Sequence, residues 1–164
     1  LEALTLTGIS LTKAQARVTL HGVPDKPGVA ADIFETIGEA GVFVDMIVQG
    51  DDDEDGMTSI SFTTDEGELE RSLEVVSQVC QKHGMRDFQS GANISKITVS
   101  GIGLRSHTQV GTILFKQLAD LGINIEMIGT SELQLNAVVV SDKVEAAIGQ
   151  LKNAFAASLG AESQ

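Results

Sequence analysis

The sequence is short of cysteine and of aromatic side chains. Its 164 residues include one cysteine and six phenylalanines, and they include no tryptophan or tyrosine. Cys80 alone cannot form an internal disulfide, which favours a reducing compartment. The scarcity of aromatic rings argues against a surface on which nucleic-acid bases stack.

Positive charge and long apolar runs are also scarce. Eleven Lys and Arg against 23 Asp and Glu give a net charge of −12 at pH 7, which argues against nucleic acid or an anionic membrane as a partner. There is no apolar run of transmembrane length and no signal-peptide pattern. We therefore expect a soluble, cytoplasmic protein. Because the chain begins at Leu1, we expect a piece of a longer protein or a trimmed subunit.

One stretch of the sequence, Val23–Gln49, is present twice. A shift of 81 residues aligns the two copies without a gap. The matched pairs include Val29 with Val110, Phe34 with Phe115, Gly41 with Gly122, Met46 with Met127 and Ile47 with Ile128. This register predicts two copies of one supersecondary unit.

Within the first copy, the apolar spacing changes from that of a helix to that of a strand. It predicts a helix over 28–40 and a strand over 42–49. Asp25 is expected to cap the helix, and Pro27 is expected to lie in its first turn. Gly41 is expected to end the helix in the manner of a C′ glycine.

The same patterns predict the order of elements along the whole chain. The predicted elements are a strand over 4–11, a polar link over 12–15, a strand over 16–23, a helix over 28–40, strands over 42–49 and 57–63, a helix over 66–83 and a strand over 85–89. The second copy is predicted to hold a strand over 94–103, a helix over 107–121, strands over 123–129 and 133–140, and a helix over 142–157. It lacks a fourth strand, which the strand over 4–11 can supply.

The predicted fold is therefore α+β, with two ferredoxin-like βαββαβ domains. Each domain is expected to be an antiparallel four-stranded sheet with two helices on one face. The first domain, 16–91, would be inserted in the second, which comprises 4–11 plus 93–157.

The segment from Asp25 to Gly28 is the one that best suits a ligand. It leaves a strand and opens a helix, so free backbone N–H groups there would favour a carboxylate. Asp25 beside them would suit an ammonium group. A plain helix start with Asp25 as its cap explains the same residues, and the pattern alone leaves both interpretations open.

Two other motifs resemble ligand sites less closely. The acidic run 51–56 matches the first half of a calcium loop, but Phe62 stands where the bidentate glutamate is required, so a solvated loop is favoured. Gly101 and Gly103 follow a strand without the third glycine of a dinucleotide motif, which argues against a nucleotide cofactor.

Other polar residues have simpler structural explanations. His83 is expected to interact with a helix dipole, and Cys80 is expected to be a small buried hydrophobe. Asn124 is unusual at the start of a strand, whereas a turn explains 129–132. We predict no metal site and no catalytic residue in this sequence.

The chain resembles the tandem ACT domains of aspartate kinase (aspartokinase). The resemblance rests on the motifs DKPG, VDMIVQ, GLRSH and NIEMIGTSE and covers about residues 4–157. Lysine- and threonine-sensitive members of that family carry this pair of domains, also as a separate regulatory β subunit. The amino-acid kinase domain is absent from the sequence, so ATP and magnesium are expected only in that domain and no cofactor is expected here.

The resemblance also implies how the chain would act. ACT domains pair between two chains of a homodimer, and L-threonine, L-lysine or both bind at the interfaces for feedback inhibition of aspartate phosphorylation. A kinase catalytic domain or α subunit would be a further partner. The implied effector-binding residues are Asp25, Lys26, Pro27, Gly28, Val29, Ala30, Asp45 and Gln49 of one chain, with Asn124, Ile125, Ser131 and Glu132 of its partner.

The resemblance also implies a second, pseudo-equivalent effector site, which the second loop of one chain and the Phe43 strand of its partner would build, and two departures from the family pattern concern that site. Phe43 stands where the family usually has asparagine, and the loop 106–109 reads Ser-His-Thr-Gln where the family commonly has Ser-His-Pro-Gly. We therefore expect one working effector site per chain. The alternative is a dimerisation module whose effector site has been lost. A stand-alone enzyme would need a reactive cluster, and none is visible in the sequence.

Overall fold

The chain folds into two compact units. A computed structural model describes residues 5–51, 55–104 and 108–159. One unit, here called the inserted unit, comprises 14–93, and the other, here called the split unit, comprises 1–13 with 94–164. No helix in the described ranges is long and apolar enough to cross a membrane.

The inserted unit is a four-stranded sheet with two helices. Its elements are the second part of β1 (Thr5–Pro24), α1 (Val29–Glu39), β2 (Ile47–Gln49), β3 (Met57–Asp65), α2 (Leu69–His83) and the first part of β4 (Asp87–Ile102). The hydrogen-bonded order is β2-β3-β1-β4, and β3 is antiparallel to both β1 and β2. The core lies between sheet and helices and is centred on Leu20, Ile33, Ile37, Phe62 and Val76, none of which is exposed.

The split unit repeats this arrangement. It contains the rest of β1 and β4, then α3 (Thr108–Asp120), β5 (Ile125–Thr130), β6 (Gln134–Val140) and α4 (Val144–Leu159), in the strand order β1-β4-β6-β5. Leu114, Leu118 and Leu151 are fully buried in its core. Leu6, Ile9 and Leu11 pack against that core. The predicted α+β class, with two βαββαβ repeats and the first inserted in the second, is confirmed.

The two copies end their first helices with the same hydrogen bonds. Gly41 and Gly122 adopt φ angles of 78° and 68°, which favour glycine. The Gly41 N–H donates to the Gly38 carbonyl, and the Val42 N–H donates to the Ile37 carbonyl. Gly122 and Ile123 make the equivalent bonds to Ala119 and Leu118. This is the Schellman arrangement, repeated at the predicted interval of 81 residues.

The predicted polar link over 12–15 is wrong, because β1 continues through it. Gln15 is buried, pairs with Asp65 in the β1–β3 ladder and donates a side-chain hydrogen bond of 2.9 Å to the Asp65 carboxylate. The break between the predicted strands 85–89 and 94–103 is also wrong, since β4 is continuous. Each strand instead contains one non-glycine residue with a positive φ angle, Ala14 at 53° in β1 and Asn93 at 58° in β4.

The predicted strand over 42–49 is shorter in the structure, where β2 begins at Ile47. Before that point the pairing with β3 is irregular: the Asp45 N–H donates to the Thr63 carbonyl and the Thr63 N–H donates to the Met46 carbonyl, both at 3.0 Å, and threonine side chains add further hydrogen bonds. The Met46 N–H donates to Thr63 Oγ1 at 3.0 Å, and Thr64 Oγ1 donates to the Phe43 carbonyl at 2.7 Å. Residues 42–46 therefore run beside β3 without regular pairing.

Candidate functional site

The loop between β1 and α1 forms a tight turn that leads directly into the helix. The Lys26 N–H donates to the Pro24 carbonyl at 2.9 Å, and the Val29 N–H donates to the Lys26 carbonyl at 3.3 Å. The Asp25 N–H donates to the Gly56 carbonyl at 3.2 Å, which ties the loop to the chain entering β3. The side chains of residues 25–28 are exposed.

Gly28, and not Asp25, occupies the N-cap of α1. Its φ angle of 94° favours glycine, and no side chain caps the helix. The expected cap at Asp25 is therefore wrong, and Pro27 precedes the helix instead of lying in its first turn. The reason is the turn at 24–29, which places the helix start three residues after Asp25 and leaves that carboxylate outside the helix.

The start of α1 offers unused hydrogen-bond donors. Among the described residues, no hydrogen bond reaches the N–H groups of Ala30 and Ala31. Donors at the N-terminus of a helix attract a carboxylate, helped by the helix dipole. With the exposed Asp25 carboxylate nearby, the loop presents both a carboxylate-binding and an ammonium-binding group.

The sheet register brings Gln49 towards this loop. Gln49 pairs with Ile60 on β3, whereas Pro24, next to the loop, pairs with Met57. Three residues of strand separate the two positions, or about 10 Å along the strand. The Gln49 side chain is exposed at the end of β2.

The register separates Asp45 from the same loop. The Asp45 N–H donates to the Thr63 carbonyl at 3.0 Å. Thr63 lies six residues along β3 from Met57, so Asp45 is about 20 Å from the loop in the strand direction. The register therefore puts Gln49, and not Asp45, at the end of the sheet where the loop lies, with β3 between β2 and β1.

The predicted residues of the second copy fall at opposite ends of β5. Asn124 is exposed just before the strand, and Ile125 begins it. Ser131 and Glu132 follow its other end, about 20 Å further along. There the Ser131 hydroxyl accepts hydrogen bonds from the N–H groups of Leu133 and Gln134, which makes the predicted turn. These four residues cannot all close one small pocket.

Ser131 and Glu132 instead line a cavity within the split unit. The cavity has a volume of about 870 Å³ and lies between the first turns of α3 and the adjoining ends of β5 and β6. Its apolar lining comes from Leu104, Val110, Phe115, Ile128 and Leu135. Residues 106 and 107 of the adjacent loop lie outside the described residues.

A cluster of charges that the sequence analysis missed lies on α1 just after the loop. The Lys82 ammonium is 2.8 Å from Asp32 Oδ2, and His83 Nε2 is 2.6 Å from the same oxygen. Hydrogen bonds from Lys82 and then His83 lower the pKa of Asp32. His83 therefore pairs with a carboxylate of another helix, besides standing in the last turn of its own.

Other residues singled out in the sequence have structural surroundings. Cys80 is buried, as predicted, and burial raises the pKa of its thiol. Within the described ranges, no group of three or more His, Cys, Asp or Glu could hold a metal ion. Residues 52–54 of the acidic run lie outside the described residues. Gly101 and Ile102 end β4, and they are followed by Gly103 at a φ of 77°.

Comparison with known proteins connects both units to one family. The chain matches the ACT domain family over residues 18–79 and 97–155. It is similar to the aspartokinase of Pseudomonas aeruginosa, with 37% identity over 155 residues that cover 94% of this chain and 37% of that protein. It thus spans little more than a third of that relative's length.

The chain is also similar to solved structures over nearly the whole length of those chains. The regulatory subunit of aspartate kinase from Thermus flavus superposes with a TM-score of 0.83 at 34% identity, covering 92% of this chain and 98% of that one. A chain from a structure of aspartokinase alpha and beta subunits gives a TM-score of 0.83 at 38% identity, covering 92% and 99%.

Proposed function

Because this chain belongs to the ACT domain family, as a regulatory portion of aspartate kinase, we propose that it binds an amino-acid effector of that enzyme. The effector is L-threonine, L-lysine or both, as the family resemblance implies. Each unit then represents one ACT domain, with bounds of 16–91 and 4–11 plus 93–157. The proposal places the protein in the cytoplasm.

The start of α1 is the observation that carries this proposal. Gly28 turns the chain so that the N–H groups of Ala30 and Ala31 are left without a partner among the described residues. These groups would hold the effector's α-carboxylate, and Asp25 would hold its ammonium. Lys26, Pro27 and Val29 shape the loop, and Gln49 at the end of β2 would contact the effector side chain.

A second chain would close the pocket. Asn124 and Ile125 of the partner are the proposed contributors, because they lie together at one end of β5. Ser131 and Glu132 line the cavity of the split unit. Asp45 lies too far from the loop to contact an effector that the loop holds. One effector per chain would then bridge two chains of a homodimer.

Charge favours pairing of unlike units in such a dimer. The inserted unit carries five Lys and Arg against 16 Asp and Glu, whereas the split unit carries six against seven. Contact between two inserted units would bring two strongly acidic surfaces together, which electrostatic repulsion opposes. Contact between an inserted and a split unit avoids this repulsion.

Regulation would follow from the bridge between chains. An effector that binds one dimer arrangement better than another shifts the population towards it. In the complete enzyme that arrangement would hold the kinase domain or α subunit inactive. ATP and magnesium would bind there, and we assign no catalytic residue or cofactor to this chain.

Calorimetric titration with L-threonine, and then with L-lysine, tests the proposal. Saturable binding at one ligand per chain is expected for at least one of them. Asp25→Ala removes a charge-assisted hydrogen bond worth about 1.5–3 kcal/mol, so affinity should fall roughly ten- to a hundredfold. Glu39→Ala, at the far end of α1, is the matched control and should bind normally.

A dimerisation module without an effector site is the second candidate function. The Phe43 side chain favours it, because 72% of this large apolar side chain is exposed next to β2, as expected for an interface. Dimerisation without heat from either amino acid, and without any change in melting temperature, would establish this candidate and eliminate the sensor. Unchanged binding to Asp25→Ala would mean that the pocket lies elsewhere.

A further inference from the structure

Asp32, Lys82 and His83, here called the Asp32 cluster, lie beside the effector loop, and the proposed function leaves them unused. Lys82 Nζ lies 2.9 Å from Asp32 Oδ1 and 2.8 Å from Asp32 Oδ2, so one ammonium group contacts both carboxylate oxygens. His83 Nε2 lies 2.6 Å from Asp32 Oδ2. All three residues belong to the inserted unit. The cluster joins the end of α2 to the first turn of α1.

The position of Asp32 puts a carboxylate next to the donors that the proposed function assigns to the effector. Asp32 follows Ala31 directly, and its own N–H donates to the Gly28 carbonyl at 3.0 Å. Side chains of a helix lean towards the N-terminus of that helix. An effector carboxylate held by the N–H groups of Ala30 and Ala31 would therefore lie roughly 6–9 Å from the Asp32 carboxylate.

The Asp32 carboxyl group is ionised at neutral pH. Hydrogen bonds from Lys82 and then His83 lower its pKa. Two carboxylates at such a separation repel each other, which corresponds to roughly a three- to tenfold change in affinity near a protein surface. Without its partners, Asp32 would therefore oppose the binding of the effector carboxylate.

The repeat shows that this fold does not need a carboxylate at the position of Asp32. The corresponding residue of the second copy is Ile113, which packs against the core of the split unit. A carboxylate at this position is therefore particular to the copy that contains the proposed effector loop.

We propose that Lys82 and His83 are positioning residues for effector binding, which hold the Asp32 carboxylate and offset its charge so that the effector carboxylate can bind at the start of α1. This inference rests on the proposed function, because it concerns the same loop. Lys82 has the larger effect at neutral pH, since a lysine carries its charge there and a histidine is charged only when it is protonated.

Calorimetric titration of the whole chain with L-threonine and with L-lysine, at pH 7 and low salt, tests the proposal. Lys82→Met should weaken binding of the effector roughly three- to tenfold, and Asp32→Asn should strengthen it by a similar factor. The double variant removes both charges and should bind within about twofold of the original chain. Weaker binding in both single variants would indicate damage to the helix start and would overturn the proposal.

Two further substitutions on α2 provide matched controls. Arg71→Met removes the same charge from the same helix, and the Arg71 side chain is 58% exposed where that of Lys82 is 62% exposed. Arg71 donates to the Ala40 carbonyl at 3.5 Å, about 16 Å along α1 from the helix start, so its removal should leave affinity within about twofold. Equal losses in Arg71→Met and Lys82→Met would assign the effect to net charge and overturn the proposal.

Lys82→Arg keeps the positive charge and should restore most of the affinity that Lys82→Met loses. Salt provides a second check on the role of charge. The loss in Lys82→Met should shrink as salt is raised from about 0.01 M to about 1 M, because the Debye length falls from about 30 Å to about 3 Å. A loss that persisted at high salt, or that Lys82→Arg shared, would point to packing of the side chain and would contradict the proposal.

The outcomes also separate this inference from the proposed function. If Asp32→Asn does not fold, the comparison of Lys82→Met with Arg71→Met and Lys82→Arg still decides, because these substitutions change exposed side chains. Absence of binding to the original chain would overturn the proposed function and this inference with it. Effector binding to the original chain, with the same affinity in Lys82→Met, would overturn this inference alone.

Discussion

Asp32 is held by two side chains that come from a distant part of the sequence. Lys82 and His83 end α2, and both contact the Asp32 carboxylate in the first turn of α1. The cluster therefore joins the two helices of the inserted unit next to the proposed effector loop. The Lys82 side chain is 62% exposed, so water and salt screen part of its attraction.

The lowered pKa of Asp32 predicts a pH-dependent stability. A carboxyl group whose pKa is lower in the folded chain stabilises that state above its unfolded pKa of about 3.9. This contribution is lost as the pH falls through the lowered pKa of the folded chain. Asp32→Asn should therefore reduce the free energy of unfolding in urea at pH 7, and the deficit should shrink below pH 4.

A neighbouring acid provides the control for this pH dependence. Glu35→Gln alters an exposed carboxylate on the same helix, for which no ion pair is found among the described residues. It should leave the stability of the original chain almost unchanged at every pH. An Asp32→Asn deficit that stayed constant from pH 7 to pH 3 would contradict the ion-pair explanation.

The Asp32 cluster also shows what residue patterns cannot predict. His83 is recognisable in the sequence as the end of a helix, but its partner is 51 residues away. Nothing in local spacing indicates that contact. The same limit applies to Gln15. Its polar neighbours in the sequence indicate a segment between strands, whereas its partner Asp65 lies in another strand.

At the scale of elements, the repeat identifies equivalent core positions. Ile37 on α1 and Leu118 on α3 are 81 residues apart, and both are fully buried against their own sheets. Because α1 and α3 also end in the same hydrogen bonds, the two helices are placed alike within their units.

Ile37→Ala and Leu118→Ala should therefore have similar effects. Each removes a fully buried aliphatic side chain and leaves a cavity, which costs about 2–5 kcal/mol of unfolding free energy. Urea unfolding measures this loss, and hydrogen exchange should show the larger loss of protection in the unit that carries the substitution. The exposed Ala31→Gly and Ala119→Gly variants, on the same helices, should cost about 1 kcal/mol or less.

Most elements could be predicted because their signals are local. Apolar spacing indicated all four helices, and the repeat indicated which strand was missing from the second copy. The predicted start of α1 agrees with the structure to within one residue, but its cap does not, because Asp25 and Gly28 are both acceptable at an N-cap and the turn from Pro24 to Val29 decides between them. The short β2 reflects the irregular pairing of residues 42–46 with β3, which strand propensity does not encode.

The sequence predicts the loop of the candidate site better than it predicts the residues around that loop. Strand register puts Gln49 at the same end of the sheet as the loop 25–30. The family resemblance implies that Asp45 and Glu132 belong to the effector site. Strand register separates Asp45 from the loop 25–30, and it separates Glu132 from Asn124 and Ile125. Register is a property of long-range pairing, so residue spacing alone cannot supply it.

At the scale of the whole molecule, effector binding should appear as added stability. A ligand at a hundred times its Kd stabilises the folded state by about 2.7 kcal/mol per site, or roughly 5–10 °C in Tm for a chain of this size. Thermal melts with L-threonine and L-lysine measure the shift. Because the ligand is proposed to bridge two chains, the shift should grow with protein concentration. A shift independent of protein concentration would place the ligand within one chain.

The division of the split unit has a consequence for synthesis on the ribosome. The inserted unit is complete once Asn93 has emerged, so it can fold while the rest of the chain is being made. The first strand of the split unit, by contrast, must wait for residues 94–159. At about 5–20 residues per second this delay is roughly 3–13 s. During that time Leu6, Ile9 and Leu11 have no core to cover them, so the first part of β1 stays open to a chaperone that binds exposed apolar segments.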